Sequence, residues 1–358
     1  NMQEKIFNVK NYWRNIDKQI LASFSILFIL GVFFSFSSTS FLADERLNKS
    51  YYFFFQKHLI YAVVSFLIMI LISTLNTDLI NKSLIPIFIF FILLLLLVPF
   101  LGVEVKGAKR WLNFYIFRFQ PIEFVKPFFI LVVAQIISST KIKSLNLSHV
   151  ISFLFLSIIA LLLLIQPDVG QTILLAASWS SLIFISGFNI IFLILIFSFL
   201  IVLFFLLLYL APDRFDYIIS RITSFMDPEK SGWSQSQKAI EAIQQGGLKG
   251  RGMGEGILKE NVPEAHTDYI IAVVSEEFGS IVSVLIIIIF LFIAFRIIKK
   301  VISFSNNYYK LALCGLISLI IFQTFIHIGV NANLLPTTGM TLPFLSYGGS
   351  SLLSTGIV

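Results

Sequence analysis

Long apolar runs dominate this chain and limit the folds open to it. Ten apolar runs follow one another, and all but the truncated last one are long enough, at roughly 17 residues or more, to cross a bilayer as a helix. Since a backbone in lipid has no water to bond, such runs favour helices over open strands. They cover residues 20–39, 55–75, 83–101, 121–139, 148–165, 169–187, 189–210, 267–295, 311–330 and 344–358. The sequence therefore predicts an all-α, polytopic membrane protein with about ten transmembrane helices, the last one truncated.

Composition agrees with this fold class and excludes several functions. Of 358 residues, 57% are hydrophobic and only 13% are charged, which is far from the balance of a soluble domain. The first run is too long for a secretory signal and precedes further spans. The only cysteine, Cys314, excludes an intrachain disulfide and gives no support to a thiolate metal cluster. We expect one transmembrane domain over 1–358, with a large extracytoplasmic loop at 211–266 between the seventh and eighth spans.

In the predicted topology, Lys and Arg residues are numerous on both sides of the membrane. With the amino terminus in the cytoplasm, eleven Lys and Arg residues lie inside and fifteen outside. The positive-inside rule alone would favour the reverse orientation. A polyanionic ligand at the outer face explains the external cations, and so do ordinary solvated loops; charge alone leaves both explanations open.

Charged residues cluster where the fourth span begins. GAKRWL places two cations, Lys109 and Arg110, beside the indole of Trp111 at a membrane entry, which suits an amphiphile that carries phosphates. In QPIEFVK, Glu123 and Lys126 are three residues apart on a helix that begins at a proline, so they share a face and can neutralise each other. For Glu123, a structural ion pair and a catalytic role both remain open.

Two loops contain further candidates. Asp168 in QPDVG precedes an apolar run, where helix capping is the ordinary use of an aspartate. The segment from Gly246 to Gly256 is rich in glycine and includes Arg251, but it has no GK[ST] ending and no preceding strand. The segment therefore does not match a nucleotide P-loop, and a flexible turn beside the membrane is the simplest interpretation.

Asp268 is the strongest candidate for acid or base chemistry. It ends the stretch PEAHTD, where the large polar loop meets an apolar run. A helix cap is the ordinary alternative. The uninterrupted apolar core begins only at Phe278, about 15 Å of helix further on, which predicts that the carboxylate lies at headgroup depth. His266 suits donation to a phosphate or contact with headgroups, and a lone histidine is not a metal site.

Six motifs occur in one order around these spans: GAKRWL, QPIEFVK, QPDVGQT, GGLKGRGMGEG, PEAHTD followed by EEFG, and LPTTGMTLPFLSYGGSS. Together they resemble the SEDS family of bacterial cell-wall proteins (shape, elongation, division and sporulation). The resemblance covers nearly the whole chain. PEAHTD and LPTTGMTLP resemble the division member more than the elongation member. Two departures are Tyr269, where Phe is usual, and Ser275, where Gly is common.

The resemblance implies a peptidoglycan glycosyltransferase that polymerises lipid II at the outer face of the bacterial cytoplasmic membrane, paired with a class B penicillin-binding transpeptidase and other division proteins. It places the essential aspartate on Asp268, the basic pair on Arg110 and Lys126, and an additional loop glutamate on Glu260. Asp268 is thus the expected catalytic residue. The expected substrate-binding residues are Lys109, Arg110, Trp111, Glu123, Lys126, Arg251, Glu260, Glu264, His266 and Thr267.

The expected reaction uses Asp268 as a general base and cations to stabilise the undecaprenyl diphosphate that departs. No dedicated metal site is expected, although a divalent cation such as Mg²⁺ or Mn²⁺ can assist a diphosphate. Two alternatives come from other classes. A lipid II flippase would need a polar path through the bilayer, and a scaffold for the transpeptidase would tolerate loss of Asp268 and Arg110.

Overall fold

The chain is mostly helical. A computed structural model describes residues 13, 16–45, 52–105, 107–114, 117–139, 145–189, 212–226, 235–256 and 265–358, with isolated residues between 191 and 209. The helices are α1 (Lys18–Glu45), α2 (Phe53–Thr74), α3 (Thr77–Leu101), α4 (Pro121–Ser138), α5 (Leu145–Ile165), α6 (Val169–Ile185), α7 (Pro212–Met226), α8 (Gln235–Gly246), α9 (Ile270–Phe278), α10 (Ser280–Val301), α11 (Asn307–Asn331) and α12 (Gly349–Thr355).

Several of these helices suit a bilayer, so the prediction of a helical, polytopic membrane protein is confirmed. In the described residues, seven helices are long and apolar enough to cross a membrane: α1 to α5, α10 and α11. Helix α6 is apolar but has only 17 residues. The predicted run 189–210 lies mostly outside the described residues, and the run 344–358 contains the short α12. The expected number of ten spans is not reached on these criteria.

The predicted span 267–295 is wrong, because the chain breaks at Gly279. That residue has φ +87°, and a Cβ there would lie 2.2 Å from the carbonyl oxygen of Leu248. Only glycine accepts both constraints. The apolar run therefore divides into the short α9 and the spanning α10, and Asp268 precedes α9. The 15 Å counted from Asp268 to Phe278 lies before this break, so the expectation that Asp268 lies at headgroup depth stays a prediction.

The segment between α3 and α4 forms a small antiparallel sheet, which an all-α description omits. Its strands are β1 (Val103–Val105), β2 (Ala108–Phe114) and β3 (Phe117–Phe119), in the order β1-β2-β3. Glu104 pairs with Lys109, and Asn113 pairs with Arg118. The antiparallel pairing returns the chain from the end of α3 to the start of α4, and β2 packs against α3.

Helices α4 and α11 form the centre of the bundle. Of the apolar window in α4, 78% is buried, against 22% in α3 and α10. One apolar core joins α4 to α3, α5 and α6, and a second joins α1, α9, α10 and the segment around Leu345. Helix α11 packs against α4 and α6. Polar side chains on α4 and α11 therefore face protein rather than lipid.

Candidate active site

Asp268 and Arg110 face a common point beside Gly339. A Cβ built on this glycine would lie 3.7 Å from Asp268 Oδ2 and 4.0 Å from Arg110 Nη1. Gly339 has φ +73° and lies in the loop between α11 and α12, so three separate segments of the chain meet here. Asp268 is half-buried in the turn before α9. The two expected charges thus converge, although they are far apart in the sequence.

On strand β2, the side chain of Arg110 points to the opposite face from those of Lys109 and Trp111, because successive residues of a strand alternate between its two faces. The Arg110 guanidinium donates to the backbone of the turn between α5 and α6, through Nε to the Gln166 oxygen at 3.3 Å and through Nη2 to the Pro167 oxygen. Its side chain is 14% exposed. Lys109 is exposed and Trp111 is half-buried. The three residues therefore do not act as one cluster, and Arg110 is the member directed at the Asp268 site.

Asp168 lies at the start of α6, as predicted, but its side chain does not cap the helix. Its carboxylate faces Arg110 instead, with Oδ2 3.7 Å from Nε, and accepts a 3.5 Å hydrogen bond from Gln120. The carboxylate thus serves as the counter-charge of Arg110, while the Gln171 amide in the first turn of α6 also favours its charged form. Burial raises the pKa of the Asp168 carboxyl, and the nearby Arg110 charge opposes that shift. Arg110 is consequently held by a counter-charge on the side away from Asp268.

Lys126 lies within a closed, buried network. Its ammonium donates to Gln171 Oε1 at 2.9 Å and Gln323 Oε1 at 3.2 Å, and it pairs with Glu123 Oε2 at 2.9 Å. Gln171 in turn donates to Glu123 Oε1 at 2.7 Å. The expected Glu123–Lys126 pair is thus present. Since an ammonium has three hydrogens, all are used, and a bond from Lys126 to a phosphate would break one of these contacts.

The glycine-rich segment packs against the end of α9. The amides of Arg251 and Gly252 donate to the carbonyl oxygens of Glu276 and Glu277, both at 2.9 Å. A Cβ at Gly246 would lie 1.9 Å from the Ser275 oxygen. The glycines therefore allow the backbone of this segment to pack directly against the backbone at the end of α9. The segment is neither a phosphate loop nor a free turn. The Arg251 side chain is exposed.

The remaining expected residues have different positions. The His266 ring lies between Phe54 and Tyr347, with ring centroids 5.2 and 5.6 Å away, and its carbonyl oxygen accepts from the Tyr347 amide at 3.0 Å. Thr267 is half-buried next to Asp268. Glu260 and Glu264 lie outside the described residues. His266 is thus part of an aromatic cluster beside the site.

Sequence reasoning missed Arg221, Gly339 and Asn331. Arg221 on α7 donates from Nη1 to the Thr337 oxygen at 2.6 Å, two residues before Gly339. In the sequence, Arg221 is one of many loop cations, and nothing distinguishes it. Asn331 ends α11 and donates to the Asp268 carbonyl oxygen at 3.0 Å. The described residues form no group of three or more His, Cys, Asp or Glu side chains suited to a metal ion.

The fold and the site together define the class of protein. It is a polytopic membrane protein in which a carboxylate and a guanidinium face one point beside Gly339. The chain belongs to the FtsW/RodA/SpoVE family of cell cycle proteins, whose family model matches residues 17–358. The expected family is thereby confirmed.

Relatives and solved structures agree with this family. The chain is 35% identical to the probable peptidoglycan glycosyltransferase FtsW of Caulobacter vibrioides (strain NA1000 / CB15N), over 97% of this chain and 88% of that protein. It is 32% identical to the probable peptidoglycan glycosyltransferase FtsW of Haemophilus influenzae (strain ATCC 51907 / DSM 11121 / KW20 / Rd), over 96% of this chain and 91% of that protein.

Two solved structures share the fold at 22% identity. One concerns the structural coordination of polymerization and crosslinking by a peptidoglycan synthase complex. Its TM-score is 0.76, and the match covers 96% of both chains. The other is the rod shape determining protein RodA of Thermus thermophilus, with a TM-score of 0.68 over 96% of this chain and 94% of that one.

Proposed function

We propose that this chain is a peptidoglycan glycosyltransferase that joins lipid II units into β-1,4 glycan strands during cell division. Membership of the family and the name of the relatives at 35% and 32% identity support this activity and the division role. The observation that carries the mechanism is the convergence of Asp268 and Arg110 on one point at Gly339.

Asp268 is the general base of the proposed reaction. The acceptor 4-hydroxyl attacks C1 of the donor sugar, its proton passes to the Asp268 carboxylate, and the bond between C1 and the diphosphate oxygen breaks. The electron pair leaves with undecaprenyl diphosphate. One displacement inverts the α-linked donor to a β-linked product. The departing group is already an anion, so no second carboxylate is needed to protonate it.

Arg110 stabilises the charge that develops on the leaving diphosphate. A preorganised cation is effective because it does not reorient during the reaction. Arg110 meets this condition, since two backbone carbonyls and the Asp168 carboxylate hold its guanidinium while Nη1 faces the site. Gly339 has no side chain beside the base and the cation, so none competes with the reacting sugar for these two groups. Any divalent cation in the reaction is proposed to be bound mainly by the diphosphate.

The site is proposed to face the exterior of the cytoplasmic membrane. Helix α10 begins beside α9 and ends with Lys299 and Lys300 in its last turn. Near that far end, Asp17 forms ion pairs with Arg296 at 3.3 Å and Lys300 at 3.6 Å. Cations near the end of a span favour the cytoplasm, and the opposite end carries Asp268. A class B transpeptidase is the proposed partner, in line with the synthase complex that shares this fold.

The test is glycan synthesis by purified Asp268→Asn in liposomes supplied with lipid II from outside, with and without a class B transpeptidase. Loss of a general base lowers rates by about 10²–10⁴-fold, so we expect polymer to disappear from the gel while partner binding persists. Asp17→Asn is the control, since it removes a carboxylate whose partners Arg296 and Lys300 lie at the other end of α10. Wild-type polymer from Asp268→Asn would refute the role of the base. A flippase would make no glycan in this assay, and a scaffold would tolerate the change.

A further inference from the structure

Three polar side chains lie on one face of α11, which is mostly apolar. Gln323, His327 and Asn331 are spaced four residues apart, which places them above one another on the helix. Each is at most 4% exposed. A buried polar group is costly unless its hydrogen bonds are made, and more so inside a membrane. The bonds of this polar face therefore indicate what it does.

Asn331 holds the turn that carries Asp268. Its Nδ2 donates to the Asp268 carbonyl oxygen at 3.0 Å and to the His327 carbonyl oxygen at 2.8 Å, and its Oδ1 accepts from the Ala272 amide at 3.1 Å. Both hydrogens of the amide are used, and its oxygen accepts one bond. One side chain thus fixes both ends of the short segment from Asp268 to the first turn of α9, and attaches that segment to α11.

His327 and Gln323 hold the loop that carries Gly339. His327 Nδ1 lies 2.8 Å from the Met340 oxygen, and Gln323 Nε2 donates to the Thr341 oxygen at 2.9 Å. A carbonyl oxygen only accepts, so Nδ1 of this histidine carries its proton. Gln323 also accepts from Lys126 at 3.2 Å, which connects the polar face to the buried ion pair of α4.

We propose that the Gln323–His327–Asn331 face of α11 is a positioning device that fixes Asp268 relative to the Gly339 loop and Arg110. The inference rests on the proposed function and deepens it. Asn331 is a positioning residue: it bonds the backbone of Asp268 and does not touch the reacting atoms. Its role differs from simple packing, because the same helix face holds both segments that meet at the site.

This role predicts a specific kinetic defect. Substrate binds through lipid, sugar and diphosphate contacts that the polar face does not make, so its loss leaves KM nearly unchanged. The base, however, must lie within hydrogen-bond reach of the hydroxyl, and a displacement of about 1 Å costs roughly 10²-fold in rate. We therefore expect kcat to fall by roughly 10- to 100-fold in a variant that releases Asp268 from α11.

The experiment compares two substitutions of Asn331 in purified full-length protein with lipid II. Asn331→Leu removes all three bonds, whereas Asn331→Asp keeps an acceptor for the Ala272 amide and loses the donation to Asp268. Both are expected to lower kcat with KM within about threefold. Thr324→Val is the matched control, since this buried hydroxyl on α11 bonds only the Ile320 oxygen of its own helix at 2.8 Å. Wild-type kcat from either Asn331 variant would overturn the proposal.

If Asn331→Leu does not fold, two substitutions of His327 distinguish a loss of positioning from a loss of folding. In His327→Asn, the amide nitrogen lies near the place of Nδ1 and can donate to the Met340 oxygen, so kcat is expected to stay within about threefold of wild type. In His327→Leu, the donor is absent and kcat is expected to fall at least about tenfold. Equal kcat in the two variants would refute the inference.

Hydrogen exchange gives a measure that does not depend on activity. The peptide that contains Ala272 is expected to exchange faster in Asn331→Leu than in wild type, because its amide loses one of its two acceptors and keeps only the Tyr269 oxygen at 3.0 Å. In Asn331→Asp it should remain protected. Faster exchange together with an inactive wild-type protein would contradict the proposed function and leave the positioning contacts established. Unchanged exchange in Asn331→Leu would contradict the positioning device itself.

Discussion

Replacement of Lys126 by Met tests whether this cation acts inside the protein or on the substrate. Lys126 is 1% exposed and Glu123 is 4% exposed, and the two are 2.9 Å apart. Lys126→Met leaves the Glu123 carboxylate buried with the amide of Gln171 as its remaining donor among the contacts described above. Removal of one partner from a buried pair costs about 3–5 kcal/mol. We expect the unfolding midpoint in detergent to fall by on the order of 10 °C.

The double variant supplies the decisive comparison. Glu123→Gln together with Lys126→Met has no buried charge at this point, and such replacements are often neutral or stabilising by about 1–4 kcal/mol. We therefore expect the double variant to regain most of the thermal stability that Lys126→Met loses. The midpoint is measured by size-exclusion chromatography after heating, and glycan synthesis is measured on the same samples.

The two measurements together distinguish the roles. If Lys126 acts through its network, the double variant regains part of its polymerase activity along with its stability. If Lys126 binds the diphosphate directly, stability returns and activity does not. A Lys126→Met variant as stable as wild type would refute the argument, because it would mean that the Glu123 carboxylate is not stranded by the loss of its partner.

Three glycine substitutions are expected to differ in how much stability and activity they cost. Gly250→Ala places a Cβ 2.2 Å from the Glu277 oxygen at φ +80° and should lower the unfolding midpoint, whereas Gly254→Ala, at φ +83° with nothing within 4 Å, should cost only about 1–2 kcal/mol of strain. Gly339→Ala meets only ordinary contacts at 3.7 and 4.0 Å, so its stability should match that of Gly254→Ala. Its polymerase activity should nevertheless fall, because the methyl group lies within 4.0 Å of both the base and the cation. Full activity would show that this point is not where the sugar reacts.

The helical spans were predictable from the sequence because they depend on local composition. Apolar length alone identifies α1 to α5 and α11, and the spacing of Glu123 and Lys126 gives their shared face. The break at Gly279 was not predictable in this way. Its cause is the Leu248 carbonyl oxygen, more than thirty residues away in the sequence, which leaves no room for a Cβ. A long-range contact of this kind has no signal in hydropathy.

The candidate site, like the helices, was predictable from the sequence only in part. Asp268 stands out as a carboxylate at a polar junction, and motif resemblance points to Arg110. Their convergence depends on Gly339, which in the sequence is one of 19 glycines. Asn331 has still less signal, because an asparagine at the end of a helix is commonly a cap and its role here depends on the partners it meets in space. Contacts between distant segments therefore account for most of what sequence reasoning missed.

The break at Gly279 also affects how the site responds to the membrane. A spanning helix adapts to bilayer thickness by tilting, and α10 can do so. Helix α9 is separated from α10 by an extended glycine and is attached to α11 through Asn331. We expect a change in tilt of α10 to reach Asp268 less fully than it would along one continuous helix. Polymerase activity is therefore expected to depend little on bilayer thickness.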